Sequence, residues 1–234
     1  SETERVLLCR LSVFPGGWTL EAAEDVCAGD GIDKDVMVDL LSHLVDKSLI
    51  IVDAETAGER RYRFLETVRQ YGRQRLVRSG DAERVRDRHF SFFSELVRRA
   101  EPELQKAHQV AWLNRLQREH DNVRSALDWC LANPERGDTG LELAAALTWF
   151  WLKRGYFAEG RQWLERALAA TESSEQLRAK ALNSISCMAV FQADYPATLA
   201  RADESVALGR KAGDLRTTAH SLFLQGVVAV QRAE

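Results

Sequence analysis

Apolar residues recur at helical spacing from the start of the chain. Val6, Leu7, Leu8, Leu11 and Phe14 form a stripe over residues 4–14 that Pro15-Gly16-Gly17 stops. Thr19 is placed to cap a second helix, and Glu21 and Glu24 suit its positive N-terminus. A third helix, over 33–47, opens at Asp33 and carries Val36, Met37, Leu40, Leu41, Leu44 and Val45 on one face. The period then changes. Leu49-Ile50-Ile51-Val52 is a short β-branched run, Asp53 to Glu59 is a polar turn containing Gly58, and Arg61-Tyr62-Arg63-Phe64 alternates, which predicts a hairpin. Another helix is expected from Leu65 to Ser79-Gly80. Three helices, a hairpin and a closing helix are the order of a winged helix.

The remaining pattern is helical throughout. Long helices are expected over 82–101, ending at Pro102, and over 107–132, ending at Asn133-Pro134. Gly155-Tyr156-Phe157-x-x-Gly160-x-x-x-Leu164-x-x-Ala167-Leu168 then aligns with Ala193-Asp194-Tyr195-x-x-Thr198-x-x-x-Ala202-x-x-Ser205-Val206, an offset of 38 residues. An apolar helix precedes each segment, over 141–152 and 177–191, and a third covers 215–230. Ser173-x-x-Gln176 is read as a capping box for the second of these. The small residues at 160, 167, 198 and 205 let paired helices approach closely. The spacing is near the tetratricopeptide repeat of about 34 residues. The expected fold is all-α with one small β-hairpin wing. It comprises a winged-helix domain over 1–80, a helical linker domain over 81–135 and TPR-like α-solenoid repeats over 136–234. The last repeat is expected to be half present, and the start without methionine suggests a piece of a longer chain.

Composition narrows the function classes. The net charge of −3 gives no global attraction to nucleic acid. Cys9, Cys27, Cys130 and Cys187 fall within apolar helical patterns without C-x-x-C spacing, which reads as buried thiols. The five histidines lack zinc-ligand spacing. No apolar run reaches the roughly 20 residues of a membrane span, so no membrane contact is expected.

Several stretches carry a family resemblance. They are Arg10-Leu11-Ser12-Val13-Phe14-Pro15-Gly16-Gly17-Trp18-Thr19-Leu20-Glu21-Ala22-Ala23, Leu40-Leu41-x-x-Leu44-Val45-Asp46-Lys47-Ser48-Leu49, and Tyr62-Arg63-Phe64-Leu65-Glu66-Thr67-Val68-Arg69-Gln70-Tyr71. Arg86-Asp87-Arg88-His89, Glu119-His120-Asp121-Asn122-Val123-Arg124 and Gly160-Arg161-x-Trp163-Leu164-Glu165-Arg166-Ala167-Leu168 extend them. Together these resemble the region downstream of the nucleotide-binding domain in bacterial STAND ATPases, among them the large LuxR-type and SARP-type (AfsR-like) transcriptional regulators. The resemblance implies a cytoplasmic, ATP-switched regulator whose winged helix packs on its own upstream nucleotide-binding domain. Its repeats would sense an effector protein or small molecule. It also implies ATP or ADP in that upstream domain and no cofactor in these residues, which contain no G-x-x-x-x-G-K-[ST] loop. Relatives often carry Met-His-Asp where the wing meets the next helix, with the histidine on the nucleotide phosphate. The matching residues are Phe64, Leu65 and Glu66; leucine cannot donate a hydrogen bond, and Glu66 also suits a helix first turn.

The candidate surfaces follow from charge and aromatic content. The helix at 33–47 sets four aspartates against two lysines, a net of −2, the wrong sign for base readout. It is expected to pack against protein. Residues 60–88 hold ten arginines against four acids, a net of +6. They form either a solvated face paired with acids elsewhere or a docking surface on which Arg69 and Arg73 are candidate contacts. Direct DNA binding through this stretch is the alternative reading. Trp149, Phe150 and Trp151 are adjacent on one helix, so they cannot all face one core. With Tyr156 and Trp163 they are candidates for an aromatic-lined partner surface. Glu119-His120-Asp121 reads as structural, because sequence neighbours on a helix do not face one another. No catalytic or metal-binding set is expected.

Overall fold

A computed structural model describes residues 1–56 and 59–232. Ala57 and Gly58 of the expected polar turn, and the last two positions, lie outside the described residues. The chain divides into two compact units. One comprises Ser1–Leu96 with Gln117–Ala126, the other Val97–Leu116 with Leu127–Glu234. The stretch expected as a separate domain over 81–135 is therefore shared between the two.

The first unit has the winged-helix order. It runs α1 (Glu2–Leu11), β1 (Trp18–Thr19), α2 (Leu20–Cys27), a 3-10 turn (Lys34–Val36), α3 (Met37–Asp46), β2 (Ile50–Thr56), β3 (Glu59–Phe64), α4 (Glu66–Arg78) and the first part of α5 (Ala82–Ala100). Thr19 caps α2 through Ala22 N, and Asp33 caps the 3-10 turn through Asp35 N. The wing is a three-stranded antiparallel sheet in the order β1-β3-β2, with Trp18 opposite Tyr62 and Ile50 opposite Phe64. Periodicity predicts only β2 and β3. A strand of two residues is too short to alternate, and β1 is held by its neighbours instead: the Trp18 ring stacks on Tyr62 at 6.3 Å and meets Phe64 at 4.9 Å. Leu7, Leu11, Phe14, Met37, Leu41 and Phe93 close the core around them.

The second unit is an array of helices. After α6 (Gln109–Arg118) and α7 (His120–Leu131), each of which contributes to both units, come α8 (Gly137–Ala146), α9 (Thr148–Arg154), α10 (Phe157–Ala170), α11 (Glu175–Phe191), α12 (Tyr195–Ala212) and α13 (Leu215–Gln231). α11 and α12 pack antiparallel. Ser205 Oγ donates to Ala179 O at 2.8 Å and Ser186 Oγ to Thr198 O at 2.9 Å, so seven residues up α11 correspond to seven residues down α12. Gly160, Ala167, Thr198 and Ser205 are all buried at these interfaces. A Cβ at Gly160 would lie 2.7 Å from both Met188 Sδ and the Trp151 indole, which is why the position is glycine.

Three local expectations change. The helix over 107–132 breaks at Glu119, where Arg61 Nη2 reaches the Arg118 carbonyl at 3.5 Å. The helix over 141–152 breaks at Leu147; the Thr148 hydroxyl there donates back to Ala145 O at 2.7 Å, competing with the helical ladder. The cap of α11 is Ser174, which accepts from Leu177 N at 3.3 Å, while Ser173 Oγ is buried without a hydrogen-bond partner.

Candidate functional site

In the first unit, two clamps fix the wing and helices before any surface is presented. Arg10, only 2% exposed, donates through Nε to Asp81 at 2.9 Å and through Nη1 to Cys27 O and Gly29 O at 2.8 and 2.6 Å. One guanidinium thus ties α1 to the end of α2 and the start of α5. Arg61 on β3 pairs with Glu119, both nearly buried, and its Nη2 also donates to Gly16 O at 3.2 Å. Asn122 completes this second clamp, donating to Gly17 O at 2.9 Å and to Glu119 Oε2 at 2.7 Å. Gly17 has φ +76°, and a Cβ there would sit 2.6 Å from Tyr62 O, so no other residue fits.

Behind the clamps His89 is buried between Phe14 and Phe93, with ring centroids at 5.2 and 4.6 Å. Burial pushes its imidazole down to about 3, against a weaker opposite influence from Asn122, so it stays neutral. Arg88 donates to Ala28 O and lies over Gly29. The Arg86-Asp87-Arg88-His89 stretch thus has structural work within the unit.

The ten arginines of 60–88 consequently do not form one free cationic face. Arg61, Arg63, Arg69, Arg84 and Arg88 each meet a carboxylate in the same unit. Glu66 sits in the first turn of α4, where Arg69 at 2.7 Å lowers its carboxyl below the usual range, with Gln70 adding a hydrogen bond. Leu65 is the N-cap residue of α4 and is half exposed. Arg73 lies a turn beyond Arg69, exposed, and its charge adds to burial in depressing the Arg86 guanidinium. Arg75 lies over the exposed Tyr71 ring at 5.2 Å, and Arg78 is exposed with Val77 beside it. Only Gly72 and Leu76 of α4 are buried. Arg75, Arg78 and Tyr71 also line a cleft of about 670 Å³ between α1 and α4, floored by Val6, Leu8 and Leu76. Sequence reasoning picked out Arg69 and Arg73; the outward set is better described as Tyr71, Arg73, Arg75, Val77 and Arg78, and α4's 3.6-residue spacing was the signal available.

The helix in the recognition position is different. The exposed residues of α3 include Val38, Asp39, Ser42, His43 and Asp46, and the Ser42 hydroxyl is turned back onto Val38 O at 2.8 Å. This face carries Asp39 and Asp46 beside Val38, Ser42 and His43, and no arginine, lysine, asparagine or glutamine.

The aromatic candidates of the second unit separate by burial. Trp151 is 1% exposed against Gly160, and Trp163 is 7% exposed with the Arg166 guanidinium 4.5 Å over its ring, so both belong to repeat packing. Trp149 and Tyr156 are half-buried and remain the accessible pair. Among the described residues no group of three or more His, Cys, Asp or Glu could hold a metal ion, and no helix is long and apolar enough to cross a membrane.

Residues 1–77 match the family of winged helix-turn-helix domains. The first unit contains such a domain. A protein of Mycobacterium tuberculosis named as a candidate HTH-type transcriptional regulator is 32% identical over 243 aligned residues, covering all of this chain and 27% of that protein. A protein of Mycobacterium bovis with the same type of name matches to the same extent. An uncharacterized protein of Mycobacterium tuberculosis is 40% identical over 86 residues, 36% of this chain and 22% of that protein. The chain spans about a quarter of the length of these curated relatives. No solved structure matches the chain.

Proposed function

We propose that these residues are a non-catalytic regulatory and protein-interaction region of a STAND-type, ATP-dependent transcriptional regulator acting in the cytoplasm. In this reading the winged helix docks on the protein's own nucleotide-binding domain and relays its nucleotide state. Leu65 and Glu66 occupy the junction at which the resemblance to STAND ATPases places a phosphate-contacting histidine, and the TPR-like repeats take an effector through the surface around Trp149 and Tyr156. The observation that carries it is the outward face of α3, where Val38, Asp39 and Asp46 stand at positions that base readout would fill with Arg, Lys, Asn or Gln. Such a face suits a protein surface and repels phosphate.

A second reading has its own support. The match to winged helix-turn-helix domains, the names of the mycobacterial relatives and the exposed Arg73, Arg75 and Arg78 favour direct DNA contact through α4. Fluorescence anisotropy with a labelled duplex, at low and then physiological salt, separates the two. The docking reading expects no saturable binding at physiological salt. Saturable binding that is lost in an Arg73→Ala/Arg75→Ala/Arg78→Ala variant, and weakens steeply as salt rises, would establish the DNA reading instead.

A further inference from the structure

The cleft between α1 and α4 of the first unit has a charged wall that the clamps leave unused. Its lining sets Arg5, Arg10, Arg75 and Arg78 against Glu2, Asp30 and Asp81, which leaves a net of one positive charge. Each of those carboxylates is already held. Glu2 meets Arg5 at 3.0 Å, Asp81 meets the buried Arg10 at 2.9 Å, and Asp30 accepts from Arg84 and Arg88. Among the described residues no carboxylate meets Arg75 or Arg78. The two stand three residues apart on one face of α4, with the Arg75 guanidinium 5.2 Å from the centre of the Tyr71 ring.

Beside this charge the cleft is apolar. Leu8 and Leu76 are 7% and 3% exposed and form its floor with Val6. Cys9 lines it too, half-buried. Burial pushes the Cys9 thiol up and the Arg75 charge opposes that, so the guanidinium's field reaches into the cleft. Asp30, Gly80 and Asp81, from the turns that follow α2 and α4, close the end near Cys9, which stands about 12 Å along α1 from Ser1 at 1.5 Å per residue. The site is thus built from interior turns and helices. Its volume of about 670 Å³ is that of a small-ligand pocket. A net of one positive charge suits a monoanion, two guanidiniums suit a carboxylate, and an aliphatic floor suits a hydrocarbon body. We propose that this cleft binds a carboxylic acid with a hydrocarbon chain, its carboxylate between Arg75 and Arg78 and its chain over Val6, Leu8 and Leu76. The site lies wholly within the first unit, apart from the surface around Trp149 and Tyr156, and does not rest on the regulatory reading above.

Cys9 supplies the readout. Cys27, Cys130 and Cys187 are buried, so iodoacetamide should label Cys9 first in the folded chain. Octanoate is the probe. A ligand this small binds with a dissociation constant on the order of 0.1 mM, so about 1 mM should slow Cys9 alkylation about tenfold. Octan-1-ol, with the same chain length and no charge, should barely slow it. The protection should vanish in an Arg75→Gln/Arg78→Gln variant, each rate being compared with and without octanoate in the same variant. It should persist in Arg73→Gln, which changes an exposed arginine of α4 outside the cleft. Circular dichroism checks that the variants stay folded. Absence of protection in the unaltered chain, equal protection by octan-1-ol, protection that survives the double substitution, or its loss in Arg73→Gln would overturn the proposal.

Discussion

At the scale of single residues, the first unit is held by charges that water barely reaches. Arg61 and Glu119 satisfy one another, and removing one leaves the other buried and uncompensated. Arg61→Ala is expected to cost about 3–5 kcal/mol in urea unfolding, and Arg61→Met combined with Glu119→Leu distinctly less; equal losses in the two would refute the pairing. His89 gives a pH signature. Its folded-state value of about 3 lies below the ordinary 6.5, so the unfolded chain takes up the proton first. This contribution is complete above pH 6.5 and is lost as the pH falls toward 3, by up to about 1.4 kcal/mol per pH unit. His89→Leu should flatten the decline in unfolding midpoint between pH 7 and 5; an unchanged slope would assign the acid sensitivity to other groups. Gly160 poses the opposite problem, too much side chain rather than too little. The rigid Trp151 ring cannot yield to a Cβ at 2.7 Å, so Gly160→Ala should lose about 1–3 kcal/mol although alanine is the better helix former. A raised melting temperature would contradict this.

At the scale of elements, what was legible in the sequence depended on length and periodicity. The stripes of α1, α3, α5, α11 and α13 repeat over enough turns to declare themselves, and the alternation in Arg61-Tyr62-Arg63-Phe64 marked the wing. β1 could not be read, because two residues carry no period. The breaks at Glu119 and Leu147 come from Arg61 and from the Thr148 hydroxyl, contacts that apolar spacing does not encode. The sequence puts the cap of α11 one residue early, on Ser173, since two adjacent serines look alike in sequence. That difference is measurable. Ser174→Ala removes a helix cap and should cost about 1 kcal/mol. Ser173→Ala removes a buried hydroxyl without a partner and should be neutral or stabilising. The reverse order in a thermal melt would restore the Ser173 cap.

At the scale of the whole molecule, the candidate surfaces were only partly visible. The +6 of residues 60–88 reads in sequence as one basic region, yet at least half of its arginines are spent on carboxylates within the unit, and the outward side of α4 is what that region presents. Trp151 and Trp163 look like partner contacts by type and are core by position, because helical phase over a short segment does not say which neighbours will cover it. The acidity of α3 was legible, since a helix's net charge survives folding. It carries the functional account, in which the helix that would enter a DNA groove is built to meet protein. Hydrogen–deuterium exchange of the chain with and without excess duplex DNA at low salt tests that claim most directly. Exchange over 37–46 is expected to stay unchanged, with any protection confined to α4; protection of the α3 amides that grows with DNA concentration would show that this helix enters DNA.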